Sequence, residues 1–235
     1  MYKGKSYLGI IPARSGSKRL SDKNICDLCG KPLIAWTIEA SLQSKYIDET
    51  LVTTDSDIIA NISRKYGGQV PFKRPARLAT DTATSVDVVL HVLGHYKSKL
   101  HKEFDYIVFL QPTSPLRDHS DINRAIELCD KKSANAIISV CEAEHSPLHT
   151  NILPKSLSMN NFISKKDQKK RYQDIHTYYQ LNGAIYICRT DIFIKEKSFF
   201  PNKKSFAFII PKERSVDIDT RLDFIITECI IKNRD

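Results

Sequence analysis

The fold is decided by Tyr7-Leu8-Gly9-Ile10-Ile11-Pro12 and the segment after it, Ala13-Arg14-Ser15-Gly16-Ser17-Lys18-Arg19-Leu20-Ser21-Asp22-Lys23-Asn24. An apolar run with no polar alternation predicts a strand buried on both faces, the kind found in parallel sheets. The loop behind it carries four cations, Arg14, Lys18, Arg19 and Lys23, among the small residues Ser15, Gly16 and Ser17. Small residues let backbone N–H groups approach an anion, so this is the composition of a phosphate cradle. It matches neither the P-loop pattern nor GxGxxG. A solvated basic turn is the bland alternative.

Working outward, strands and helices alternate. Residues 32–44 read as a helix with Pro32 in its first turn, 49–54 as a strand, and 56–66 as a helix closed by Gly67-Gly68. Val86, Val89, Leu90 and Leu93 share one stripe, which predicts a helix over 84–100. Strands follow at 106–111 and 136–141, with a helix at 121–132 between them. After a polar stretch, strands return at 183–188 and 205–210. A last helix has Thr220 as N-cap and Leu222, Ile225, Ile226, Cys229 and Ile230 on one face. This rhythm predicts an α/β domain with a mostly parallel sheet and helices on both faces. Ligands of such sheets sit beyond the C-terminal strand ends. Residues 143–181, with the basic run Lys165–Arg171, break the rhythm and read as an insertion within one domain spanning 1–235.

Three further segments at strand ends or before a helix carry chemistry. Gln111-Pro112-Thr113-Ser114-Pro115-Leu116-Arg117 is a loop stiffened by two prolines. Its Thr and Ser either face a ligand or cap the next helix. Asp217 and Asp219 flank Ile218 on an extended segment, so their carboxylates point the same way. Two such carboxylates beside phosphates suit Mg²⁺; capping of the last helix is the competing use of Asp219. Arg74 to Ser85 is an irregular loop rich in hydroxyls and arginines.

The chain has 235 residues, 41% of them hydrophobic and 27% charged, which excludes a disordered chain. Its net charge of +9 favours anionic ligands without choosing among them. The basic run is the one feature favouring nucleic acid, and no nucleic-acid-binding motif accompanies it. No stretch reaches the roughly 18 apolar residues of a membrane helix, and the first apolar run is too short for a signal-peptide core, so the expected compartment is the cytoplasm. Cys26 and Cys29 form a lone CxxC with no second pair, which argues for free thiols rather than zinc. The seven histidines show no metal-ligand spacing.

In order along the chain stand IPARSGSKRLSDKN (11–24), RPARLATDTATS (74–85), LQPTSPLR (110–117), NGAIY (182–186) and VDIDTRLDF (216–224). Together they resemble the acylneuraminate cytidylyltransferases, which make CMP-sialic acid and its legionaminic and pseudaminic relatives. The resemblance covers nearly the whole chain. It implies a Rossmann-like, nucleotide-diphospho-sugar transferase type of fold and a homodimer, with 143–181 as the dimerisation region. It implies that Arg14, Ser15, Gly16, Ser17, Lys18 and Lys23 hold the CTP phosphates, and that Asn24, Arg74 and Ser85 position the nucleotide. It implies a nine-carbon acidic sugar met by Gln111, Thr113, Ser114, Arg171, Asn182 and Tyr186, and by Phe199 and Phe200 reaching across a dimer interface. Asp217 and Asp219 would hold Mg²⁺ or Mn²⁺. Arg14, Lys18, Lys23 and the two aspartates would form the catalytic set. The chain departs from many relatives at Arg19 and Ser21, where they carry Gly and Pro. The related Kdo cytidylyltransferases share the fold and opening strand, but their usual loop lacks the Lys23-Asn24 pair.

Overall fold

The computed structural model describes residues 1–16, 19–169 and 176–233. In chain order the elements are β1 (Tyr7–Pro12), β2 (Asp27–Leu28), β3 (Lys31–Pro32), α1 (Leu33–Leu42), β4 (Glu49–Thr53), α2 (Asp57–Lys65) and α3 (Ser85–His95). Then come β5 (Tyr106–Phe109), α4 (His119–Lys131), β6 (Ala136–Glu142), β7 (Tyr179–Arg189), α5 (Thr190–Glu196), β8 (Ser205–Ile209) and α6 (Arg221–Lys232).

Six strands form one sheet in the order β4-β1-β5-β7-β6-β8. β1 runs parallel to both β4 and β5, β6 runs parallel to β8, and β7 alone is antiparallel to its neighbours β5 and β6. Alternate residues of β1 serve opposite cores. Tyr7 and Ile11 face α1, α2 and α4 through Ile34, Ile38, Ile59, Ile122 and Ile126. Leu8 and Ile10 face α3 and α5 through Val89, Val92 and Phe193. β1 is therefore buried on both sides, which is why its sequence is apolar without alternation. Gly9 lies where α1 comes closest: a Cβ there would meet Ser41 Oγ at 2.8 Å.

From β1 the chain moves to β4 on one side; from β5 it moves by α4 toward β6 on the other. The loops after β1 and β5 diverge at this reversal and leave a crevice at the C-terminal strand ends. No described helix is long and apolar enough to cross a membrane.

Several boundaries differ from the sequence reading. The helix expected over 84–100 ends at His95, followed by a π-turn, Tyr96–Leu100, that closes at left-handed His101. β7 begins at Tyr179, so the last residues of the expected insertion belong to the sheet. The rest of 143–178 holds two described one-turn helices, Pro147–His149 and Asp167–Lys169.

Candidate active site

The crevice is a cavity of about 520 Å³. Its walls include Arg14, Arg19, Lys23 and Asn24 from the β1 loop, Arg74, Asp81 and Ser85 from the segment before α3, and Gln111 and Thr113 from the β5 loop. Asp219 closes one side, and Phe109, Leu78 and Val88 supply apolar floor. Four segments far apart in sequence thus meet at one cavity.

The β1 loop is tied at both ends. Ala13 N–H donates to Thr53 O at 3.0 Å, and Asn24 Nδ2 donates back to Arg14 O at 3.0 Å. In the middle, Asp55, just past β4, accepts from Ser15 N–H at 2.9 Å and Ser15 Oγ at 2.5 Å. Burial opposes ionisation of Asp55, but the Ser15 bonds outweigh it and hold its carboxyl below the usual range. Lys23 Nζ donates to Ile218 O at 2.7 Å and Asp219 Oδ1 at 3.0 Å, so the loop is stitched to the segment that carries both aspartates. Arg19 donates to Asp219 Oδ2 at 2.9 Å. Arg14 pairs with Asp81 at 2.7 Å.

Arg74 is buried beneath the loop. Its guanidinium donates to Thr53 Oγ1 at 3.2 Å and, closely, to Thr53 O. Burial pushes its pKa down to about 10, so it remains a cation at neutral pH. Ser85 opens α3, whose start is fixed by a reciprocal cap between Thr84 and Asp87.

Asp217 is solvent-accessible yet walled in by protein. That enclosure, with the charge of Asp219, raises its carboxyl above the usual range despite a hydrogen bond from Thr113 and the nearby Lys23. Ile218 N–H donates to Thr113 O at 2.8 Å and fixes the segment against the β5 loop. Two carboxylates separated by one residue are oxygen donors of the kind a hard divalent cation takes. No group of three or more metal-ligating side chains occurs among the described residues. A cation held by two carboxylates needs further oxygens from phosphate and water, which is the habit of Mg²⁺.

Gln111 rests on a bulge in the β6–β7 pairing. Gly183 there has φ +71°, and a Cβ on it would lie 3.1 Å from Gln111 Oε1. Around the bulge Ser139 Oγ donates to Asn182 Oδ1 at 2.6 Å, Asn182 Nδ2 to Ser215 Oγ at 2.9 Å, and Ser114 Oγ to Asn182 O at 3.1 Å. Ser114 and Asn182 are therefore buried and engaged with protein; their placement supports the loop rather than lining the cavity. Tyr186 packs edge-on and Phe199 tilted against Phe109, with ring centroids 6.4 and 5.1 Å from it. Phe199 is buried in this chain's own core, so it does not reach across an interface as expected, whereas Phe200 stands exposed at the edge. Ser15, Gly16 and Asp217 lie beside the cavity without forming its wall. Ser17, Lys18 and Arg171 lie outside the described residues.

Sequence reasoning missed three groups. Asp55 and Asp81 are carboxylate partners of the loop, and Asp55 was findable as the acid at the C-terminal end of a strand. Arg117 is fully buried and donates to Gln111 O at 2.8 Å, Ala184 O at 3.1 Å and Thr37 Oγ1 at 2.7 Å. It belongs to the quoted loop motif, but nothing local marks it as the residue that anchors the loop.

A basic cavity at the reversal of a mostly parallel sheet is the place where proteins of this α/β class bind anionic ligands such as nucleotides. The cytidylyltransferase family model matches residues 8–231, and the chain belongs to that family of nucleotidyltransferases. It is 36% identical over 231 residues to the CMP-N,N'-diacetyllegionaminic acid synthase of Legionella pneumophila, covering 96% of each chain. It is 39% identical over 219 residues to the N-acylneuraminate cytidylyltransferase of Streptococcus agalactiae; there it spans 51% of the relative's length. It is 31% identical over 225 residues to the pseudaminic acid cytidylyltransferase of Campylobacter jejuni, covering 96% of each. Among solved structures, a CMP:2-keto-3-deoxy-manno-octonic acid synthetase complexed with CTP superposes with a TM-score of 0.69 at 18% identity, covering 97% of this chain and 99% of that one. The 4-diphosphocytidyl-2C-methyl-D-erythritol synthase of Anaerococcus prevotii does so with 0.68 at 16%, covering 98% and 100%. Both share the fold.

Proposed function

We propose that the chain uses CTP to activate a nine-carbon α-keto acid sugar, a sialic acid or a legionaminic or pseudaminic relative, as its CMP-sugar with release of pyrophosphate. The observation that carries this reading is the single cavity joining phosphate-loop cations, Arg74, Gln111 and Asp219. The anomeric 2-hydroxyl of the sugar attacks the α-phosphorus of CTP. A P–O bond forms there, the bond to the bridging oxygen breaks, and pyrophosphate leaves with the electron pair. The hydroxyl proton passes to solvent or a carboxylate.

Such transfer needs alignment and charge neutralisation more than covalent catalysis. Arg14 and Lys23, with Lys18, neutralise phosphate charge; Gly16 and Ser17 contribute small residues that let the backbone approach phosphate, while Ser15, whose N–H is held by Asp55, shapes the loop. Asn24, Arg74 and Ser85 position the nucleoside end. Gln111 and Thr113 meet the acidic sugar, supported by Ser114 and Asn182, with Tyr186, Phe200 and Arg171 on the sugar side and Phe199 packed behind them against Phe109. Asp217 and Asp219 would hold Mg²⁺ or Mn²⁺, which supplies charge neutralisation on the phosphates. The reading includes a cytoplasmic homodimer joined through 143–181.

The test is a pyrophosphate-release assay with CTP and Mg²⁺. N-acetylneuraminic, legionaminic, pseudaminic and Kdo acids are run in parallel, with ATP, GTP and UTP as controls. Release with CTP and one nine-carbon acid is expected. Release with Kdo alone would replace the sugar; failure to bind CTP would overturn the reading of the β1 loop.

A further inference from the structure

We propose that Arg19 is a displaceable counter-ion for Asp219: it occupies the carboxylate while the site is empty, and moves to the triphosphate when nucleotide and divalent cation arrive. The inference rests on the metal and CTP roles proposed above.

The two oxygens of Asp219 are held differently. Oδ1 accepts from Lys23 Nζ at 3.0 Å, and Lys23 is anchored a second time, to Ile218 O at 2.7 Å. The Lys23 side chain is 12% exposed. Oδ2 accepts from Arg19 at 2.9 Å, and the Arg19 side chain is 72% exposed. The backbone that carries the carboxylate is fixed. Asp219 N–H donates to Asp223 Oδ2 at 3.1 Å, and Asp223 is locked into the cap of α6. Of the three partners, Arg19 is the one free to move, and Oδ2 is the oxygen that opens when it does.

Arg19 also lines the cavity, between the other loop cations. A guanidinium matches phosphate oxygens as well as it matches carboxylate. Triphosphate entering the cavity therefore offers Arg19 a second anion within the same site, and Asp219 Oδ2 becomes available to the cation that accompanies the nucleotide. A bare divalent cation meets the opposite situation, since it must compete with a resident positive charge. An exposed ion pair changes an equilibrium constant by at most about five-fold, so the exchange is reversible rather than a permanent block. Because binding linkage is reciprocal, nucleotide and cation then favour each other by one shared factor.

The experiment measures Mn²⁺ alone by electron paramagnetic resonance, and CTP alone in EDTA by calorimetry, with no acceptor sugar and so no turnover. Arg19→Gln is expected to bind Mn²⁺ about two- to five-fold more tightly than the unaltered protein, and CTP about two- to five-fold more weakly. Asp219→Asn serves as the reference for the metal assignment. If Asp219→Asn abolishes Mn²⁺ binding while Arg19→Gln leaves it unchanged or weaker, the counter-ion role is overturned and the metal assignment stands. If Mn²⁺ binding survives Asp219→Asn, the metal assignment itself fails. Equal CTP affinity in Arg19→Gln overturns the transfer of Arg19 to phosphate. Arg19 is exposed, so an unchanged melting temperature is the expected folding control.

Discussion

At the scale of single residues, Arg117 shows how a buried charge can serve a ligand loop without touching the ligand. Replacing it with Met removes a costly buried cation but leaves Gln111 O, Ala184 O and the Thr37 hydroxyl without their donor. Each unpaired buried acceptor costs about 1–3 kcal/mol. The losses outweigh the relief, and Arg117→Met is expected to lower unfolding stability by about 2–4 kcal/mol in urea titration. An unchanged midpoint would mean that water replaces the guanidinium. The thiols give a pH prediction. Burial pushes Cys129 and Cys188 up to about 12 from an ordinary 9.0. The native state thus keeps protons that the unfolded chain releases, so these thiols withdraw stability as pH rises from about 9 toward 12. At pH 8 iodoacetamide should label exposed Cys229 first and leave Cys129 and Cys188 unmodified, read by peptide mass spectrometry. Labelling of all three at one rate would contradict the burial. The cations and acids lining the cavity were largely legible because phosphate chemistry demands them at strand ends. The roles of Arg117 and Asp81 were not, because their partners lie on other segments and only tertiary structure brings them together; Asp55 had the signal of its place at a strand end, but its bond to Ser15 is likewise tertiary.

At the scale of elements, β1, β4 and β5 were readable from apolar runs and the cap of α6 from Thr220, whereas the caps of α2 and α3 at Ser56 and Thr84 were not singled out. The β2–β3 hairpin escaped notice. Its turn places Cys29 at φ +54° and Gly30 at φ +87°, and a Cys stands where Asn or Asp is the usual signal. The direction of β7 was equally hidden, since a buried antiparallel strand reads like a parallel one. On α6 the face read from periodicity is turned outward: Leu222 is 64% exposed, while Phe224 seats the helix against Leu28, Leu33 and Ile218. Periodicity identifies a stripe but not which side the core is on. The start of α6 couples stability to the site, because Asp223 caps the helix and also holds Asp219 N–H. Thr220→Ala is expected to cost about 1 kcal/mol and to weaken Mn²⁺ binding. Lost stability with unchanged Mn²⁺ affinity would show that Asp223 keeps Asp219 in place by itself.

At the scale of the whole molecule, two regions of the described residues group several exposed apolar side chains together. The first is the arm where Tyr179–Leu181 pairs with Val140–Glu142 beyond the main sheet, preceded by exposed Ile152, Leu153, Leu157 and Met159. Tyr179 and Leu181 are two residues apart on one strand, hence on one face, and are 52% and 53% exposed. The second is the outer stripe of α6. A stable dimer buries about 1,600 Å² in total, and the arm offers the longer run of apolar side chains. A net charge of +9 opposes self-association, so the arm must supply enough apolar burial to overcome it. The dimer proposed through 143–181 therefore predicts that light scattering gives twice the chain mass, and that Tyr179→Arg with Leu181→Arg halves it. Leu222→Glu with Ile226→Glu should leave the mass unchanged. The reverse pattern would move the interface to α6 and leave the arm as a ligand-side element of one chain. If Phe200 serves the partner's sugar site, the arm variant should also raise KM for the acidic sugar and not for CTP. Loss of CTP affinity instead would show that the arm supports the nucleotide cavity directly.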